Sequence, residues 1–304
     1  MKIVVAGGTG FLGRYITRSL LDAGHAVTVL GRDPSKVPGI PQLSGADAIH
    51  GDATEPASLE GVFDGVDAVV CAVQLPNYPI EVPRKRLTFD RYDRQGAENL
   101  LAAASGAGVA RFVYISGAGA DPRSGKTWYR AKGRAEATLR NSELSWAIVR
   151  PSWAYGPEDR ALNKFIQIAH FSPVVPRIGL RRQRIMPVFV EDIALAIARI
   201  FERNDAWERV YEIGGPQVLS MDEVIRTMLD VVGALRLVVP VPKVLAKLGT
   251  AALVLLPTPP MTPGGIEFAA QDGVVDNTEI NKVLDVQPMG LRAGLERYLS
   301  GTAA

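Results

Sequence analysis

Seven residues near the start of the chain set the terms for everything after them. Gly7-Gly8-Thr9-Gly10-Phe11-Leu12-Gly13 follows the apolar run Ile3-Val4-Val5-Ala6, which reads as a buried strand. Beyond the loop Leu12, Tyr15, Ile16, Ser19, Leu20 and Ala23 recur at helical spacing, and Gly24 is placed to end the helix. Gly7, Gly10 and Gly13 make a G-x-x-G-x-x-G pattern between strand and helix. In that context the first glycine permits a tight turn, the second lets backbone approach a pyrophosphate, and the third lets helix pack on strand. The anion then meets the free N–H groups and positive dipole end of the helix. The pattern predicts a dinucleotide site built from Gly7, Thr9, Gly10, Phe11, Leu12 and Gly13.

The rest of the first 150 residues repeats the alternation. Apolar strands are predicted at 26–30, 48–50, 67–73, 111–115 and 145–149, with helical patterns around 97–104 and over 127–141. Continuous apolar strands separated by helices predict an α/β fold, a doubly wound parallel Rossmann sheet covered on both faces. After Pro151 the rhythm changes. Helices are predicted near 162–169, 191–202 and 221–232, the last opened by a capping box of Ser220 and Glu223. Residues 1–150 therefore read as the NAD(P)-binding domain, and 151–304 as a smaller mixed lobe packed against the sheet's C-terminal edge.

Composition narrows the function classes. With 47% hydrophobic and 22% charged residues the chain is globular. The single cysteine, Cys71, rules out a disulfide framework or Cys-cluster metal site, and it reads as an inert core residue. His25, His50 and His170 have no metal-ligand spacing. A net charge of +2 gives no reason to expect nucleic acid. No signal-like segment is visible, so the cytoplasm is the expected location. Residues 248–266 carry no charge, but prolines and glycines break the run too often for a spanning helix.

The tip of the second strand bears on the choice of dinucleotide. An acid there grips the ribose 2′-hydroxyl of NAD, whereas an arginine accommodates the 2′-phosphate of NADP. Here Gly31 is followed by Arg32, and Asp33 comes one step late. NADP(H) is favoured over NAD(H), with a merely solvated Arg32 as the alternative. In Gly51-Asp52-Ala53, Asp52 either accepts a hydrogen bond from the adenine amino group or caps the following turn.

Further motifs carry a family resemblance. Besides the glycine loop these are Gly51-Asp52-Ala53-Thr54, Val113-Tyr114-Ile115-Ser116, Arg150-Pro151-Ser152-Trp153-Ala154-Tyr155-Gly156-Pro157, Met186-Pro187-Val188-Phe189-Val190-Glu191-Asp192-Ile193-Ala194 and Tyr211-Glu212-Ile213-Gly214-Gly215-Pro216. Together they resemble the extended and atypical short-chain dehydrogenase/reductase superfamily, the NAD-dependent epimerase/dehydratase and NmrA-like groups included. Residues 256–262 are similar to relatives of the nucleotide-binding accessory subunit of respiratory complex I. The resemblance implies NAD(P) contacts from Asp52, Ala53, Ala72, Val73, Lys132 and Pro151, and a role that is often not turnover.

In catalytic members a tyrosine, with a lysine four residues later, moves the proton, and a serine orients the carbonyl. Ser116 and Lys132 match the serine and lysine, but Trp128 stands four before Lys132 and Tyr129 three before. Tryptophan has only an N–H donor and no proton to exchange. Three readings stay open: NADP(H) held as a structural or sensing ligand, within a protein complex in one version; an NADPH-dependent oxidoreductase, epimerase or isomerase acting on a small molecule through Lys132 or Tyr129 with Ser116; or Tyr129 occupying the usual tyrosine place.

Weaker signals remain. Arg177, Arg181, Arg182 and Arg184 form either an anion site or a solvated basic stretch, as do Arg84-Lys85-Arg86 with Arg91 and Arg94. Residues 241–256 read as a lobe-packing helix or as a peripheral contact with a membrane or partner.

Overall fold

The computed structural model describes residues 1–76, 78–179, 183–246 and 271–299. Its first half runs β1 (Lys2–Ala6), α1 (Phe11–Asp22), β2 (Ala26–Gly31), β3 (Asp47–His50), β4 (Ala68–Cys71), α2 (Gly96–Gly106), β5 (Arg111–Ile115), α3 (Thr127–Arg140) and β6 (Ser145–Pro151). The second half adds β7 (Trp153–Tyr155), α4 (Leu162–Phe171), β8 (Val174–Ile178), β9 (Arg184–Ile185), β10 (Pro187–Phe189), α5 (Val190–Glu202), β11 (Arg209–Ile213), β12 (Leu219–Ser220), α6 (Met221–Val231), β13 (Leu237–Val241), α7 (Thr278–Val283) and α8 (Leu291–Leu299).

Seven strands form one sheet in the order β11-β6-β5-β4-β1-β2-β3. Every pairing in it is parallel. The chain starts in the middle and winds outward in both directions, so the carboxyl ends of β1 and β4 lie at a switch point where ligands bind such sheets. Strand pleating divides the core. Ile3 and Val5 of β1 face one layer with Ile16 and Leu20 of α1 and Ile193 and Ile197 of α5, while Val4 and Ala6 face Leu100 and Leu101 of α2 and Leu139 of α3. Each fully buried Ile, Val or Leu contributes about 1.5–3 kcal/mol to holding these layers.

The seventh strand comes from beyond residue 151. β11 pairs with β6 from Arg209↔Ala147 to Ile213↔Pro151, and α5 packs on α1. Three two-stranded sheets, β7/β10, β8/β13 and β9/β12, make up the remainder. The capping box at α6 is present as expected, with the Ser220 hydroxyl accepting from the Glu223 N–H and the Glu223 carboxylate accepting from the Ser220 N–H.

Two strands differ in extent from expectation: β4 stops at Cys71 instead of running through Val73, although the Ala72 N–H still donates to Ala6 O, and β6 continues past Val149 to Pro151. The reading of 241–256 is covered only to Ala246. Its remainder, the 248–266 segment, the 256–262 resemblance, Arg181 and Arg182 lie outside the described residues. Among the described residues, no helix is long and apolar enough to cross a membrane.

Candidate functional site

The glycine loop has the geometry that its spacing requires. Gly7 sits at φ +82°, and a Cβ there would lie 2.7 Å from the Ala72 carbonyl oxygen and 3.1 Å from the Val73 nitrogen. A Cβ on Gly13 would overlap the Gly7 carbonyl oxygen, so only glycine lets α1 start this close to β1. The Gly10 N–H donates to Gly7 O at 2.9 Å and closes the turn. Gly10 is the N-cap of α1, with no side chain accepting there and no acid in the first turn. The helix thus keeps its positive end and free donors for a ligand. Thr9, Phe11 and Leu12 are half-buried around it.

Arg14, which the sequence reading passed over, braces this loop. Its guanidinium donates to the carbonyls of Gly10 (3.2 Å) and Thr9 (3.1 Å) and pairs with Glu158 at 3.3 Å. Glu158 also accepts from the Tyr15 hydroxyl (2.7 Å) and the Gln42 amide (3.2 Å). Adjacency to Gly13 was a signal for Arg14. Nothing local marks Glu158, which lies 144 residues away in sequence.

Arg32 lies exposed at the end of β2 with no carboxylate partner among the described residues. Asp33 turns to the following turn instead: it accepts from the Ser35 hydroxyl at 2.5 Å and pairs with Lys36 at 3.2 Å, and these hydrogen bonds hold its carboxyl below its usual range. Asp52 Oδ1 accepts from the N–H and hydroxyl of Thr54 at 2.8 and 2.9 Å, so one oxygen holds its own turn. The buried Ala53 offers its carbonyl to Asn99 at 2.8 Å. The Ala72 N–H donates to Ala6 O, and Pro151 O accepts from the Ala118 N–H, both at 2.9 Å. Gly7, Gly10, Gly13, Ala72 and Val73 are therefore brought together at the carboxyl ends of β1 and β4.

The region after β5 is arranged differently. The Ser116 hydroxyl donates to Glu136 Oε1 at 2.6 Å. Lys132 Nζ donates to the Ile115 carbonyl at 3.0 Å and pairs with Asp93 Oδ1 at 3.1 Å, its side chain 3% exposed and that of Asp93 0%. Asp93 Oδ2 accepts the Leu75 N–H at 3.0 Å. Burial pushes the Asp93 carboxyl upward and the Lys132 ammonium opposes that shift. Glu136 also accepts from Arg150 at 2.6 and 2.8 Å and from Arg140 at 3.1 Å. Both carboxylates were absent from the sequence reading. Glu136 had a signal, being four residues after Lys132 on the same face of α3. Asp93 sits in a π-helical turn, Asp90–Gln95, whose register ordinary helical periodicity does not follow.

Trp128 is buried with Leu75, Phe89, Tyr92 and Ala131, and a Cβ on Gly117 would overlap its indole. The tryptophan therefore lies flush on the backbone just past Ser116. Tyr129 packs edge-on against it at 5.0 Å, with its ring 2.8 Å from where a Gly119 Cβ would be. Burial first, then the negative charge of Asp272, raises its pKa. That makes its phenol a poorer proton donor near neutrality.

Several of the remaining basic candidates are engaged locally. Arg177 pairs with Asp222 at 3.0 Å, Arg184 with Asp272 at 3.8 Å, and Arg94 with Asp90 and Glu98 at 2.5 and 2.7 Å. Arg91 donates to Thr54 Oγ1 at 3.3 Å. Burial pushes the Cys71 thiol up to about 11, which leaves it unreactive.

Comparison with known proteins gives a consistent result. A family model described as NAD(P)H-binding matches residues 7–169. Mitochondrial NADH dehydrogenase (ubiquinone) 1 alpha subcomplex subunit 9 of Arabidopsis thaliana is 30% identical over 234 residues, covering 75% of this chain but only 57% of that protein. The mitochondrial NADH-ubiquinone oxidoreductase 40 kDa subunit of Neurospora crassa is 28% identical over 302 residues, covering 97% and 78%. The crystal structure of UDP-glucose 4-epimerase from Bifidobacterium longum, in complex with NAD+ and UDP, superposes with a TM-score of 0.77 at 17% identity, over 98% of this chain and 97% of that one.

Proposed function

Because the chain belongs to the NAD(P)H-binding family, within the atypical short-chain dehydrogenase/reductase superfamily, we propose that it holds NADP(H) as a structural or sensing ligand and does not transfer hydride. The observation that carries this reading is the commitment of Ser116 and Lys132 to the buried carboxylates Glu136 and Asp93. The cradle left by Gly7 and Gly13, and the uncapped start of α1, suit the pyrophosphate. Thr9, Phe11 and Leu12 would line it, Arg32 would take the 2′-phosphate, and Asp52 and Ala53 the adenine side. Ala72, Val73 and Pro151 would flank the nicotinamide half. Lys132, with two of its three donors taken, keeps one for a ribose hydroxyl. Bound NADPH would supply a hydride, while the matching proton finds no free donor in Ser116 or Lys132, which are held by Glu136 and Asp93. Relatives named as subunits of larger assemblies support a place in a protein complex.

A second reading keeps one observation in its favour. The half-buried Tyr129 hydroxyl makes no hydrogen bond among the described residues, which leaves it as the acid of an NADPH-dependent reductase or epimerase. Titration of the protein with NADPH and NADH, followed by tryptophan quenching, separates these ideas when combined with an assay for NADPH oxidation. The proposal expects NADPH to bind more tightly than NADH, and Arg32→Ala to erase the difference. Equal binding of both removes the NADP preference, and substrate-dependent NADPH oxidation lost in Tyr129→Phe establishes the enzyme.

A further inference from the structure

We propose that the outer face of the β8/β13 pair, with the end of α4, docks on an anionic lipid surface. Parallel strands are ordinarily covered on both faces. In this pair Val175 and Val238 point inward, at 0% and 9% exposure. Their neighbours Val174 and Leu237, which are register partners, are 37% and 65% exposed. Phe171 and Leu235 stand at one end of the pair, 93% and 95% exposed. They are fixed beside it by the Arg236 guanidinium, which donates to Ala169 O at 2.6 Å, and by the Leu237 N–H, which donates to Pro173 O at 2.9 Å. Val244 and Leu245 follow β13 at the other end, 68% and 60% exposed. These six make up most of the exposed large apolar side chains among the described residues. An apolar patch of this kind marks an interaction surface.

Charge selects the occupant. The chain has 32 acids in 304 residues, or about one in ten, yet no Asp or Glu occurs from 160 to 190 or from 231 to 266. Those two acid-free stretches hold six and three Lys or Arg, and the β8/β13 pairing sets residues 174–178 of the first beside 237–241 of the second. Arg177 and Arg184 are paired with Asp222 and Asp272. Lys164, Arg236 and Lys243 have no carboxylate partner among the described residues and flank the apolar side chains. Lys164 lies on the same face of α4 as Phe171, seven residues on. A second copy of the chain would set these bases against each other. A bilayer with anionic headgroups instead takes the apolar side chains into its interface and the bases at its surface.

The test is flotation of the full chain with phosphatidylcholine vesicles, with and without phosphatidylglycerol. We expect recovery with the anionic vesicles only, diminished by salt. Phe171→Glu with Leu235→Glu should weaken it by about tenfold or more, and Lys164→Glu with Lys243→Glu should also weaken it. All four side chains are exposed, and unchanged NADPH binding checks that the variants remain folded. Absence of binding to anionic vesicles, or equal binding by wild type and the Phe171/Leu235 variant, overturns the proposal. A lipid-free dimer that the Phe171/Leu235 variant dissociates overturns it in favour of self-association.

Discussion

The loops that follow β1 and β5 are both rich in glycine and set at the same edge of the sheet, but they have been put to opposite uses. After β1 the backbone donors of Gly7 to Gly13 stay open, with no side chain capping α1. After β5 the backbone past Ser116 is covered by Trp128 and Tyr129, and the Ser116 and Lys132 side chains are drawn into buried pairs. The contrast separates two kinds of site. A cradle of backbone groups persists as long as the turn does. Side-chain chemistry is withdrawn as soon as one well-placed carboxylate takes the donor.

The largest effect that sharpens this contrast is expected at Asp93. Asp93→Asn leaves the Lys132 ammonium buried without its counter-charge, which should cost about 3–5 kcal/mol of stability in urea unfolding. The folded fraction should still bind NADPH, because the cradle is elsewhere. A pair of apolar replacements, Asp93→Leu with Lys132→Met, should recover most of that loss.

Asp159 is the matching buried acid without a cationic partner among the described residues. It accepts backbone N–H groups, from Ala161 and Leu162 at 2.8 and 2.6 Å and from Asn163, and burial raises its pKa from 3.8 to about 6. Between those values the folded protein holds a proton that the unfolded chain has lost. Stability therefore falls as pH rises from about 4 to about 6, by up to about 3 kcal/mol. Asp159→Asn should flatten that part of the stability–pH profile, and an unchanged slope would put the titrating group elsewhere.

On the cradle side, Gly13→Ala forces a methyl into the Gly7 carbonyl. Overpacking of about 1–3 kcal/mol should weaken NADPH binding about tenfold or more in the quenching titration. The smallest effect is expected at Tyr129→Phe, which removes a hydroxyl with no hydrogen bond among the described residues. Stability should change by less than about 0.5 kcal/mol, with unaltered dinucleotide affinity. A large change in either would mean that the covered loop is still in use.

Much of this was legible in the residues alone. Buried strands of Val, Ile and Ala, and α1 and α3 with their 3.6-residue stripes, have local causes, as do the Ser220–Glu223 box and the glycine loop. The partners of Ser116 and Lys132 were not legible, because Asp93 meets α3 across a long loop and a π-helical turn. Nor was the return of β11 to the sheet, since Arg-Val-Tyr-Glu-Ile specifies a strand but not which neighbour it pairs with. The end of β4 was misplaced because the apolar run Ala72-Val73 continues past the last residue that pairs with β1, Cys71 with Ala6.

That return of β11 and α5 matters for the order in which the molecule can be made. The glycine loop is translated before these elements, but the apolar face of α1 that anchors it, Ile16 and Leu20, finds Ile193 and Ile197 only after about 180 further residues have been synthesised. Until 209–213 arrive, β6 is an open sheet edge. A segment translated early is thus finished late, and capture of a dinucleotide reports that α5 and β11 have closed on the sheet.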